Sequence, residues 1–157
     1  EPKEKLYYTH PFDIDISKDI ISHPIVTVHE NDWMREVRAM KSADYSVELG
    51  WSYIDVVYDD ENGRGTFPRM LLAVESKSGF IFVNQMLSPS HNQPGIVFNV
   101  LDHLIEKYGK PAEILICDED LKGILTDACK KVGIRLTVRK HLPAVNDARN
   151  KLLSQLS

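Results

Sequence analysis

Between Trp51 and Asp120 the chain runs through five apolar segments whose spacing admits essentially one order of elements. WSYIDVVY, MLLAVES and FIFVNQML read as three strands, GIVFNVLDHLIEKYG as a helix, and EILICDED as a fourth strand ending in a run of acids. DDENGRG and SKSG supply the turn residues between the first three strands, because Asn62, Gly63, Gly65 and Gly79 tolerate backbone conformations closed to bulkier residues. In the helical segment Ile96, Val97, Val100, Leu101, Leu104, Ile105 and Tyr108 recur at spacings of three and four. Gly109 and Pro111 mark its end. ILIC is apolar throughout, as a strand buried on both faces requires. An antiparallel meander followed by alternating helix and strand predicts a mixed sheet with helices on both faces.

The flanks extend this pattern. Leu121, Ile124, Leu125, Ala128 and Val132 predict a second helix ending at Gly133, IRLTV a fifth strand, and Val145, Ala148, Leu152 and Leu156 a terminal helix. Asp118 stands where an N-cap belongs, with Glu119 and Asp120 in the favourable first turn. Upstream, the first 24 residues read as a loosely attached arm with Pro2, Pro11 and Pro24, in which DIDIS adds a short strand. IVTVHE reads as a strand, and Asn31 or Asp32 caps a helix whose buried stripe is expected at Trp33, Val37, Met40 and Tyr45. The expected organisation is an arm plus strand–helix extension over 1–50 and a core over 51–157, forming one compact domain.

A chain of 157 residues with 43% apolar and 27% charged residues has the makings of one globular core. No apolar run approaches the roughly 18 residues needed to span a bilayer. The opening residue, Glu1, predicts a processed or excised piece of a longer chain. Cys117 and Cys129 lack CxxC spacing and are read as packed thiols on a buried strand and an apolar helix face. That reading favours a cytoplasmic protein, although the spacing also allows a disulfide.

Several motifs resemble the ribonuclease H-like superfamily, and within it the integrase and transposase cores. LLAVESKSGFIF matches an apolar strand, an acid and a Ser-Gly hairpin; EKYGKPAEILICD matches a helix, Gly-Lys-Pro and an apolar strand ending in Asp. The resemblance covers about residues 51–157. It implies a five-stranded mixed sheet of order 3-2-1-4-5, with a carboxylate in mid first strand and another at the end of the fourth. Those positions are read as Asp55 and Asp118, and Asp147 on the terminal helix is the available third carboxylate. The chain also resembles a bacterial domain family of unknown function with an acidic turn, a helix, Gly-Ile, a strand and LPA before the last helix.

Two readings follow. Carboxylates that converge to hold two Mg²⁺ ions roughly 4 Å apart would make a nuclease or strand-transfer site of Asp55, Asp118 and Asp147, with Asp55 and Asp118 as metal ligands. Against that, Asp118 is followed by Glu119, Asp120 and Leu121 rather than Asn-Gly and an aromatic residue. Only Arg149 and Lys151 stand where integrases carry a lysine-rich helix. The favoured reading is therefore a non-catalytic binding or accessory module with no resident cofactor. Its partner would be a protein or a second copy; a further alternative is a fold-only remnant whose exposed sheet edge mediates dimerisation.

The net charge of −4 counts against a dedicated nucleic-acid binder. The charge is nonetheless uneven. Residues 1–106 hold 9 basic against 17 acidic side chains, a net of −8, and residues 107–157 hold 10 against 6, a net of +4. Arg135, Arg139 and Lys140 are the candidate binding residues. On an edge strand such charges also guard against edge-to-edge association. The histidines show no zinc-ligand spacing, and GRG at 63–65 lacks the ending of a phosphate loop.

Overall fold

The computed structural model describes residues 13–18, 24–53, 58–59, 65–66, 69–87 and 93–156. Five strands form the central sheet: β3 (Ser46–Tyr53), β6 (Arg69–Glu75), β7 (Ile81–Leu87), β8 (Glu113–Ile116) and β9 (Arg135–Val138). Their order is β7-β6-β3-β8-β9, with β3–β6 and β6–β7 antiparallel and β3–β8 and β8–β9 parallel. Counted along the core, this is 3-2-1-4-5, as the motifs imply. Tyr58–Asp59 (β4) and Gly65–Thr66 (β5) form a short separate ladder between β3 and β6.

Helices α2 (Gln93–Tyr108) and α3 (Glu119–Val132) contribute to the larger core. There Val47, Leu49, Leu71 and Ala73 of the sheet are buried with Val97, Phe98, Leu101 and Leu104 of α2 and Leu121, Ile124 and Leu125 of α3. The opposite face receives α4 (Pro143–Leu156), whose Val145 and Ala148 pack with Leu142 on Met70, Leu72, Val74 and Leu115. Phe98 is fully buried, and burying a side chain of that size is worth about 2–3 kcal/mol. Gly109 (φ +90) and Gly133 (φ +81) end α2 and α3 in the left-handed conformation that glycine adopts without strain.

The first core strand starts at Ser46, five residues ahead of the expected Trp51. Val47 and Leu49 bury one face, while the acid between them disguises the strand. Helix α1 (Asp32–Ala39) is capped by Asn31, whose side chain accepts the Met34 N–H at 2.9 Å. Met34 and Val37 form its buried stripe; Met40 is exposed, because the helix has already ended and Met40 is extended. Trp33 and Tyr45 are only partly buried against the core.

The N-terminal hairpin, β1 (Asp13–Lys18) with β2 (Pro24–His29), lies against α3. Val26 and Val28 enter the core. A row at spacing four on α3 receives the strand: Gly123 lies under the Pro24 carbonyl, and Asp127 and Lys131 bind Val28. Lys110, only 4% exposed, donates to the Arg38 carbonyl at 3.3 Å and the Val132 carbonyl at 3.2 Å, tying the end of α1 to the end of α3.

Candidate carboxylate site

The parallel register pairs Ser46 with Glu113, Val47 with Ile114 and Glu48 with Leu115. Asp118 emerges two residues beyond the end of β8, where the chain turns into α3. Its Oδ1 accepts the Leu121 N–H at 2.7 Å, so the carboxylate caps the helix. Burial pushes the Asp118 carboxyl above the usual carboxylate range. The backbone N–H groups of Leu121 and Asp120 and the positive charge of Arg69 oppose this, while the negative charge of Asp120 adds to it. The Arg69 guanidinium also lies 4.6 Å from the centre of the Trp51 ring, on the neighbouring strand. The sheet end near Asp118 thus gathers a half-buried acid, a cation and an indole.

Asp55, the expected mid-strand ligand, lies outside the described residues. Asp147 sits exposed on α4, across the sheet from α3. Among the described residues, no three His, Cys, Asp or Glu side chains group closely enough to hold a metal ion.

The carboxylate that β3 does carry within its described length is Glu48. It is 3% exposed, and its Oε1 accepts the N–H groups of Ala144 and Val145 at 2.9 and 3.1 Å. These are free donors in the first turn of α4, where a carboxylate also meets the positive end of the helix. Two residues on, Gly50 lies beneath α4. A Cβ there would stand 3.3 Å from both Leu142 Cδ1 and Val145 Cγ1, so apolar groups fill the space a side chain would need. Sequence reasoning passed over Glu48. The available signal was an acid placed between Val47 and Leu49 at strand spacing, two residues before a glycine.

Other sequence expectations also shift. Cys117 is exposed, because β8 ends at Ile116 and the residue begins the turn into α3; Cys129 is buried, and both are free thiols. Burial drives the Cys129 thiol up to about 12. Arg135 is exposed on β9, but Arg139 lies past the strand end, its N–H donating to the Ile116 carbonyl at 2.7 Å. Thr137 of β9 donates to Glu113 of β8. Lys140 is exposed beyond it.

Among solved structures, the chain is similar to the catalytic core domain of BIV integrase, with a TM-score of 0.50 and 16% identity over 74% of this chain and 70% of that one. It is also similar to a chain of the simian T-cell lymphotropic virus intasome in complex with PP2A regulatory subunit B56 gamma, with a TM-score of 0.49 and 16% identity. That match covers 76% of this chain but 43% of the other, so this chain spans less than half of its length. At such identity the likeness concerns the fold, which is ribonuclease H-like. No curated protein sequence matches the chain. The family described as Domain of unknown function (DUF6930) matches residues 33–153, and the chain belongs to it.

Proposed function

We propose that this chain is a non-catalytic ribonuclease H-like module that binds a protein partner or a second copy of itself. The observation that carries the reading is the engagement of Glu48. The described acid of the first core strand is buried, and its Oε1 accepts two backbone N–H groups of α4, so the carboxylate is engaged at a helix end. Leu142 and Val145 close over Gly50 beside it, and Asp118 serves as a helix cap. Metal-assisted phosphoryl chemistry needs several carboxylates turned toward one point, and these two are turned toward helix ends.

The competing reading is a Mg²⁺-dependent nuclease or strand-transfer domain built on Asp55, Asp118 and Asp147. Half-burial and the raised carboxyl of Asp118 favour it, since perturbed acids concentrate at working sites. A thermal-shift titration with Mg²⁺ and Mn²⁺ separates the two. The binding-module reading expects an unchanged midpoint. A ligand at 100 times its Kd adds about 2.7 kcal/mol, or roughly 5 °C or more for a chain of this size. A rise of that order, lost in Asp118→Asn, overturns the proposal. Retention on DNA that falls steeply with salt would redirect it toward nucleic acid, with Arg135, Arg139 and Lys140 as the contact residues.

A further inference from the structure

Among the described residues, Glu48 and Lys110 are the buried charged side chains. The first turn of α4 holds the anion, and the last turns of α1 and α3 hold the cation. Lys110 is the lysine of the Gly-Lys-Pro motif, a residue the carboxylate site does not use. Its ammonium donates to the Arg38 carbonyl at 3.3 Å and to the Val132 carbonyl at 3.2 Å. Arg38 lies in the last turn of α1 and Val132 ends α3, so both carbonyls are of the kind a helix cannot satisfy from within. Each helix end also carries roughly half a negative charge. Neighbouring carbonyls of α3 have other donors: Cys129 accepts from Gly133 and Ile134, and Lys131 from the Arg38 guanidinium. Gly133 lies alongside, where a Cβ would stand 3.5 Å from the Lys110 Nζ. The segment that carries the ammonium is fixed by its own backbone. Ala43 N–H donates to the Lys110 carbonyl at 2.8 Å, Ala112 N–H to the Tyr45 carbonyl at 2.9 Å, and the Tyr45 hydroxyl to the Gly109 carbonyl at 2.5 Å.

We propose that the junction of α1 and α3 is a binding site for a hydrogen-bonding monovalent cation, and that Lys110 supplies the resident ammonium. Charge selects the ligand class, because two negative helix ends converge on one point and would repel an anion. Hydrogen bonding narrows it: an ammonium brings three donors and no acceptor, which suits a point lined by carbonyls. Desolvation draws the Lys110 pKa below the ordinary lysine value, and the two carbonyls oppose that cost. The backbone bonds to Ala43 and Tyr45 do not pass through the lysine side chain, so truncating it leaves the site standing. Lys110→Ala then opens a place for a free alkylammonium of the missing length, which is n-propylammonium. The motif's lysine is thereby withdrawn from solvent and serves the fold rather than a phosphate or a partner. The inference goes beyond the functional reading above and does not depend on whether the carboxylates bind metal.

Chemical rescue tests it. Lys110→Ala should melt below wild type, and n-propylammonium chloride should raise its midpoint above that in sodium chloride of equal ionic strength. An amine at about ten times its Kd multiplies the folded-to-unfolded ratio about elevenfold, a rise of roughly 3–6 °C for a chain of this length. Tetramethylammonium has the charge but no donor and should not rescue. Lys110→Met fills the stem's space without an ammonium; it should melt below wild type and ignore the amine. Should Lys110→Ala be unfolded alone, the readout becomes recovery of its circular dichroism in the amine. The wild-type chain gives a measurement free of substitution: the Lys110 ammonium protons should show a nitrogen-correlated resonance that exchanges slowly with water. No rescue beyond sodium chloride overturns the proposal, as does equal rescue by tetramethylammonium or an equal response in Lys110→Met. A Lys110→Met chain as stable as wild type also overturns it, as does a neutral or rapidly exchanging amine at Lys110.

Discussion

The backbone N–H of Val28 donates to Asp127 at 2.7 Å across 99 residues of chain, and Lys131, paired with Asp127 at 2.8 Å, donates to the Val28 carbonyl at 2.6 Å. Two side chains one helical turn apart therefore do for β2 what a neighbouring strand would do.

Burial pushes the Asp127 carboxyl up, but the hydrogen bond and charge of Lys131 and the Val28 N–H outweigh it and hold the group below the usual range. A carboxyl lowered by folding adds stability above its unfolded pKa, about 3.9, and loses it as pH falls through the folded value. Wild type should therefore melt above Asp127→Asn at neutral pH, with the gap narrowing below about pH 4. A gap constant from neutral to acidic pH would contradict this docking.

Gly123→Ala tests the same contact by shape. The added methyl carbon would fall 2.0 Å from the Pro24 carbonyl oxygen, a clash with backbone that no rotamer relieves. Helix propensity alone favours alanine by about 1 kcal/mol. Overpacking costs about 1–3 kcal/mol, so urea denaturation should show a net loss, with accelerated amide exchange confined to β2. A stabilised variant would mean that the hairpin lies elsewhere in solution.

Removal of Glu48 should be among the most damaging changes to an acid in this chain. Glu48→Ala strands the Ala144 and Val145 N–H groups in the interior, a loss of roughly 2–4 kcal/mol in denaturant unfolding. Glu48→Gln keeps one acceptor oxygen and should lose less than half of that. Equal losses in the two variants would point to a role for the charge beyond capping.

The two thiols should differ sharply toward an aromatic disulfide reagent. Cys117 is exposed, though partial desolvation of its sulfur and the neighbouring Asp118 charge raise its thiol above the ordinary value, so it should react slowly at neutral pH and faster in mild alkali. Cys129 should react only after unfolding. Two rapid thiols in the folded chain would contradict the packing of α3.

What the sequence disclosed and what it hid divide along the range of the interaction. Leu121, Ile124, Leu125, Ala128 and Val132 declare α3 because helical burial is periodic within one segment, and Asn31 and Asp118 declare their caps because the donor lies three residues away. Glu48 reaches donors 96 and 97 residues off, and Asp127 one 99 residues off. Locally, Asp127 looks like part of a solvated helix face. Met34 was hidden by Trp33, the bulkier neighbour to which apolar periodicity assigns the stripe. The expected site fared likewise: Asp118 sits where its motif put it, but which way a carboxylate turns depends on helices the motif does not contain.

Because the ammonium of Lys110 is shared by carbonyls at the ends of α1 and α3, neither helix can fray without leaving a cation stranded among apolar groups. The extension before the sheet and the helix behind it are thereby linked in their melting. The molecule should lose both in a single cooperative transition rather than shedding its N-terminal part first.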